Sequence, residues 1–314
     1  MNLFRRRDSR LFLAIVLLSG AMLVTSAVRA TDAPSSKPLM AWRDLLDRPM
    51  PKATKRIAFG TEPYQYADLW LPSGKGPFPV VLMIHGGCWQ SDVADLTIMN
   101  YAAEDLRTRG IAVWNIEYRG VDRPGGGYPG SFQDVAAAAD ALGKYGKRYP
   151  LRRSHIVALG HSAGGHLVFW LAARRDLPKD SPLKSAKPLR LASAISIGGL
   201  PDLEATRARD DNVCGNEAID GMAGQLSPAR PNIYADTSPA AMPANKVRQV
   251  VINGDSDRAA PPVTAFAYKA LMTGKGQKLR EIIIPNTGHV ELIAPGTPAW
   301  SQIVEAVEGE FKRK

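Results

Sequence analysis

One serine stands where it could become a nucleophile. The stretch Ala158-Leu159-Gly160-His161-Ser162-Ala163-Gly164-Gly165-His166 joins two apolar runs. Ile156-Val157-Ala158-Leu159 before it reads as a strand, and Leu167-Val168-Phe169-Trp170-Leu171-Ala172-Ala173 after it reads as a helix. Gly160-x-Ser162-x-Gly164 has the spacing of a nucleophile elbow in its strand–turn–helix setting. So sharp a turn puts the serine in a strained backbone region, and small neighbours keep the adjoining backbone clear. The gain is an exposed Oγ. The next backbone N–H opens a helix, where partial positive charge favours an oxyanion. The bland alternative is a glycine-rich βα turn, and the partner motifs further along weigh against it.

Those partners lie on three loops, each after an apolar run. His85-Gly86-Gly87-Cys88-Trp89 follows Pro79–Ile84. Its glycines let backbone N–H groups turn toward a developing negative oxygen. Gly87 and Cys88, with Ala163, are the expected oxyanion donors. Asn253-Gly254-Asp255-Ser256-Asp257-Arg258 carries the carboxylates. Asp257 is the first choice to orient a histidine and steady its imidazolium. Asp255 is a competitor that also suits a turn, and Asp202, after Gly198-Gly199, is a third. Pro285-Asn286-Thr287-Gly288-His289-Val290 supplies His289 as general base. The other four histidines read as structural or supporting. His85 and His161 sit inside motifs, His166 lies in the elbow helix, and His155 opens a strand. Ser162, Asp257, His289 is one of several known chain orders for such a triad. There is no H-E-x-x-H, no Cys/His cluster of metal spacing and no G-x-G-x-x-G immediately after a strand. Neither a metal nor a dinucleotide cofactor is expected.

The elements that must position these groups follow from the pattern of apolar residues. Residues 56–59 and 65–71 read as an antiparallel strand pair. Short apolar runs at 79–85, 111–117, 154–159, 191–197, 247–253 and 279–284 suit strands buried on both faces. Helical stretches fall at about 94–109, 132–149, after Ser162, at about 261–273 and at about 298–312. Such alternation builds a mostly parallel sheet between helices, with sites at the carboxyl ends of strands. Residues 199–238 break the alternation and are too long for an ordinary connection. They are expected to form a small lid insertion, the alternative being a partly ordered surface loop.

Bulk composition is that of a globular protein: 314 residues, 45% hydrophobic and 22% charged. The formal charge is +10, but Arg5, Arg6, Arg7, Arg10 and Arg29 against Asp8 crowd the first thirty residues. Beyond them, 35 Lys and Arg face 29 Asp and Glu, or +6, with the cations spread out. That argues against nucleic-acid binding. The basic start, the apolar run from Leu11 to about Val28 and the small residues Thr25-x-Ala27 and Val28-x-Ala30 read as a signal peptide over 1–30. An uncleaved anchor helix is the alternative, since the apolar run approaches the ~20 residues of a span. Residues 31–53, rich in Pro and Ser, read as a tether with one amphipathic piece near Trp42–Leu46, and 54–314 as one domain. The expected location is periplasmic or secreted, without stable membrane association once the leader is gone. An oxidising compartment permits a disulfide. Cys88 beside the site and Cys214 in the expected lid are therefore either bonded or two independent thiols.

From about Thr54 onward the chain resembles the α/β-hydrolase superfamily. The residues that carry the likeness are His85-Gly86-Gly87-Cys88-Trp89 and Gly160-His161-Ser162-Ala163-Gly164-Gly165-His166. They look like the branch holding bacterial carboxylesterases, feruloyl-type esterases and kynurenine formamidases. The resemblance implies an eight-stranded, mostly parallel sheet and a serine hydrolase without cofactor. Cys88 departs from the pattern, where relatives often carry glycine or an aromatic. The expected activity is hydrolysis of a small-molecule carboxylic ester. An arylformamidase-like amide hydrolase and a non-catalytic binding module on the same fold are the alternatives.

Overall fold

A computed structural model describes residues 38–313. The expected leader over 1–30 lies outside the described residues. Eight strands form one sheet: β1 (Lys55–Ala58), β2 (Tyr66–Trp70), β3 (Phe78–Ile84), β4 (Ala112–Ile116), β5 (Leu151–His161), β6 (Ser193–Ile197), β7 (Arg248–Gly254) and β8 (Leu279–Ile284). Their spatial order is β1-β2-β4-β3-β5-β6-β7-β8. β1 and β2 pair antiparallel, as does β2 with β4. All later pairs are parallel. The eight-stranded, mostly parallel sheet implied by the resemblance is thus present.

Both faces of the sheet are covered, and β3 shows how. Val80, Leu82 and Ile84 join one apolar layer, while Val81 and Met83 join the other, and all five are fully buried. Successive side chains point to opposite faces, so a continuous apolar run is what a doubly covered strand needs. The first layer packs α3 (Gly130–Tyr145), α4 (Ala163–Ala173) and α7 (Pro262–Gly274), through Phe132, Trp170 and Tyr268. The second packs α1 (Trp42–Leu46), α2 (Asn100–Thr108) and α8 (Pro298–Lys312), through Leu45, Leu106 and Trp300.

Several boundaries differ from the sequence reading for local reasons. The helix expected from about 94 begins at Asn100, after a 3-10 turn over Leu96–Met99 whose start is capped by Asp95 accepting from Thr97 N–H. β5 starts at Leu151 rather than 154, because Phe78 pairs with Leu151 before a register shift at Pro79/Val80. Arg152 and Arg153 in that extension hide it from an apolar pattern. α3 ends at Tyr145 and gives way to a 3-10 turn over Gly146–Arg148. Between β6 and β7, residues 199–238 hold α5 (Leu203–Arg207) and α6 (Asn216–Ala223). α6 is amphipathic and buries Ala218, Ile219 and Met222.

The described part of the expected tether is docked rather than loose. Leu45 is fully buried. Met40 N–H donates to Glu291 Oε1 at 2.5 Å. The Tyr101 hydroxyl reaches Leu46 O at 3.2 Å and Arg48 O at 3.1 Å, and Arg48 Nη1 donates to Pro295 O at 2.9 Å. The reason lies in the amphipathic piece: a short helix with an apolar stripe gains by burying it, and its neighbours take up the carbonyls left free at its end.

Candidate active site

The expected site residues come from four strand ends. Ser162 stands between β5 and α4 with φ 55° and ψ −121°, a backbone conformation that non-glycine residues seldom adopt. Its N–H donates to Ile197 O at 2.9 Å, and its C=O accepts from Gly165 N–H at 2.8 Å. Those bonds fix the turn. The glycines around it are required by close approach. A Cβ on Gly160 would press on Gly164 O, and one on Gly164 would press on Ile84 O. A Cβ on Gly86 would lie 2.9 Å from Ser162 Cβ.

The loop after β3 turns through positive φ at Gly87 (110°), Cys88 (54°) and Trp89 (57°). Gly87 is the permissive residue there, and Cys88 and Trp89 carry strain that their contacts must hold. The contacts are strong ones. Trp89 is fully buried, its C=O accepts from Val121 N–H at 2.7 Å, and its indole N–H donates to His166 Nδ1 at 3.2 Å. Cys88 is bonded to Cys214, 126 residues away, with Cα atoms 5.1 Å apart. Among the described residues the N–H groups of Gly87, Cys88 and Ala163 donate to no protein acceptor. Three free donors beside a serine are what a developing oxyanion needs.

Asp257 and His289 meet. His289 Nδ1 lies 2.7 Å from Asp257 Oδ2. Asp257 is buried, and its other oxygen accepts from the N–H groups of Ala259 (2.9 Å) and Ala260 (3.0 Å). A carboxylate held this way cannot swing, so it fixes the ring and leaves Nε2 as the free nitrogen. Ser162 and His289 line one cavity of about 290 Å3, with no direct hydrogen bond between them. The two competing carboxylates are engaged elsewhere. Asp202 caps α5 by accepting from Ala205 N–H. Asp255 accepts from the Ser256 hydroxyl and from Thr287 N–H, and these bonds outweigh its burial and lower its pKa.

The remaining histidines support the frame. His161 Nε2 donates to His289 O at 3.2 Å, and the two rings lie 4.4 Å apart. Burial, with His289 close by, holds His161 well below its ordinary pKa. His166 Nε2 donates to Thr237 O at 2.8 Å while Nδ1 accepts from Trp89, and burial lowers its pKa to about 4. His85 behaves oppositely. Burial opposes its charge, yet Glu117 at 2.9 Å raises its pKa above the ordinary value. His155 donates to Glu310 O at 2.9 Å.

Sequence reading missed four residues that shape this site. Glu117 holds His85. Glu291 holds both Met40 N–H and Gly288 N–H. Gly198, with φ 53°, lies so close that a Cβ there would be 3.0 Å from both Asp257 Oδ2 and His289 Nδ1. Trp42 lines the cavity and stands edge-on to His161 and His289, with centroids at 6.2 and 6.3 Å. The Gly198-Gly199 pair at a strand end is the signal that marks Gly198; the other three stand in no motif. Among the described residues no group of three or more His, Cys, Asp or Glu is arranged to hold a metal ion.

Comparison with known proteins gives concordant results. A family model described as BD-FAE matches residues 67–270, more than half of the chain. The match includes Ser162 and Asp257 and stops before His289. No curated protein matches the sequence. Solved structures share the fold at low identity. A truncated carbohydrate esterase from gut microbiota is 18% identical, with TM-score 0.65 over 83% of this chain and 98% of its own. An inhibited esterase B from Lactobacillus rhamnosis is 18% identical, with TM-score 0.70 over 84% and 88%. Thermogutta terrifontis esterase 2, phosphonylated by sarin, is 17% identical, with TM-score 0.66 over 84% and 95%. The fold is that of an α/β-hydrolase.

Proposed function

The chain belongs to the BD-FAE family, and from that premise we propose that it is a serine hydrolase of carboxylic esters. The observation that carries the reading is Ser162 itself. It has a strained backbone at a strand–helix junction and shares a cavity with a histidine bonded to a buried carboxylate. Strain of this kind persists only where surrounding bonds impose it, and it exposes Oγ to a substrate.

In the proposed reaction, His289 Nε2 accepts the Ser162 hydroxyl proton as Oγ attacks the acyl carbon. Asp257 stabilises the imidazolium so formed. The carbonyl electron pair moves onto oxygen, where the N–H groups of Gly87, Cys88 and Ala163 can receive it. The pair then returns, the C–O bond to the alcohol breaks, and His289 hands its proton to the departing oxygen. Water enters, loses a proton to His289 and cleaves the acyl-serine by the same steps. Nothing in these steps calls for a cofactor.

Two observations support the finer points. Two of the esterase neighbours are inhibitor-bound, one of them phosphonylated by sarin, which suits a reactive serine in such folds. The Cys88–Cys214 bond fits an oxidising compartment, and with the leader-like start it supports export as a periplasmic or secreted protein. The deciding experiment is labelling of the purified protein with a fluorophosphonate probe, beside hydrolysis of p-nitrophenyl acetate. Both are expected in the wild type and lost in Ser162→Ala. Labelling that survives the substitution overturns the assignment.

A further inference from the structure

We propose that the docked N-terminal strap, residues 38–51, forms the alcohol-side wall of the active site. Trp42 is its substrate-contacting residue, and it selects esters of flat apolar alcohols over short alkyl alcohols. The inference rests on the proposed esterase reading and adds to it the class of alcohol.

The strap lies outside the matched 67–270 segment. It is fastened at both ends. Glu291 joins Met40 N–H to Gly288 N–H, the residue before His289, at 2.5 and 3.1 Å. At the far end, Asn100 Nδ2 donates to Pro51 O at 3.3 Å. The strap is thereby tied to the same loop that carries the histidine. Trp42 nevertheless remains 40% exposed, and its neighbour in the cavity, Leu46, 41%. A docked helix that buries Leu45 completely while leaving an indole open beside the site spends apolar surface that a substrate could cover.

Chemistry assigns the side. The carbonyl oxygen must face the Gly87–Cys88 loop, and the leaving oxygen must come within hydrogen-bond reach of His289 Nε2. The alcohol therefore lies along His289. Trp42 is the large apolar surface next to that ring, edge-on at 6.3 Å. Val93, Val213 and Ile98 complete the lining, and no Asp, Glu, Lys or Arg contributes to it. An uncharged ester is implied, because a charge brought into such a lining would lose its water without gaining a partner. A volume of about 290 Å3 is the space of roughly ten water molecules, enough for an ester the size of benzyl acetate.

The test compares kcat/KM for benzyl acetate and ethyl acetate by pH-stat on the mature enzyme. Trp42→Ala is expected to lower the benzyl-to-ethyl ratio roughly tenfold, the effect of covering about half of the exposed indole. Trp42→Phe should retain most of the ratio. The ratio for p-nitrophenyl butyrate over p-nitrophenyl acetate, which reads the acyl side, should not move. Trp42→Leu reads the same loss if the alanine variant folds poorly. An unchanged benzyl-to-ethyl ratio, or a change in the acyl ratio instead, overturns the inference. Fluorophosphonate labelling separates the two levels. A wild type that fails to label removes the esterase reading, whereas a labelled enzyme whose alcohol ratio ignores Trp42 removes this inference alone.

Discussion

Gly198→Ala tests whether the Asp257–His289 pair works as placed. A Cβ on Gly198 would lie 2.9 Å from Leu292 Cδ1 and 3.0 Å from both Asp257 Oδ2 and His289 Nδ1. Ordinary contact begins near 3.5 Å, so the pair must shift by about half an ångström or the end of β6 must retreat. The positive φ of 53° adds about 1–2 kcal/mol of backbone strain for alanine. Overpacking adds about 1–3 kcal/mol more. The 2.7 Å bond between the pair belongs to the charge-assisted class, worth about 1.5–3 kcal/mol. Losing that alignment in the transition state lowers kcat roughly ten- to a hundredfold. Gly296→Ala is the control, because its φ is 90° but nothing lies within 4 Å of its Cβ position. It carries backbone strain without the wedge, so it should lose stability and keep kcat. Turnover of p-nitrophenyl acetate and calorimetric melting of both variants decide the matter. A folded Gly198→Ala enzyme within about threefold of wild-type kcat would refute the reasoning, as would equal kcat losses in the two variants.

Three further outcomes follow from other contacts. Ser162→Ala should lower kcat by several orders of magnitude, read with p-nitrophenyl acetate, with the melting temperature little changed. Replacing Cys88 and Cys214 together by serine frees a loop of 126 residues. It should cost about 2–4 kcal/mol, or roughly 5 °C in melting temperature, and a melt unmoved from wild type would show that the bond does not hold the fold. His166 should make the protein acid-sensitive. Its folded pKa of about 4 lies below the unfolded value near 6.5, so the unfolded chain binds the extra proton between them. Its contribution is therefore full above about pH 6.5 and is lost toward pH 4, up to about 3 kcal/mol. The cause is burial, which disfavours the charged ring, and a second ring proton would also face the Trp89 N–H. Urea midpoints measured across that range should fall with pH in the wild type and fall less in His166→Gln.

Much of the site was legible because its chemistry is local in sequence. The elbow around Ser162 needs glycines at fixed offsets, and the loops after β3, β7 and β8 announce themselves by apolar runs that end in Gly, Asp or His. The choice among Asp202, Asp255 and Asp257 rested on less. The structure places Asp257 against His289 and gives the other two a cap and a turn. What stayed hidden was contact at long range. Trp42 lies 247 positions from His289 in the chain, and the amphipathic piece around it signals a docked helix without saying that it docks at the site. Glu117 closes β4 like any polar strand end, and only the fold shows His85 opposite it. The boundary errors have the same origin. β5 is lengthened by pairing with Phe78, a partner outside any local window.

The link between Cys88 and Cys214 closes a covalent ring. β4, β5, the Ser162 turn, α4 and β6 all lie inside it. A protease that nicks the backbone once anywhere from 89 to 213 therefore releases no fragment. The two pieces migrate together on a gel until a thiol reductant parts them, so the molecule can tolerate a cut that would dismantle an uncrosslinked chain.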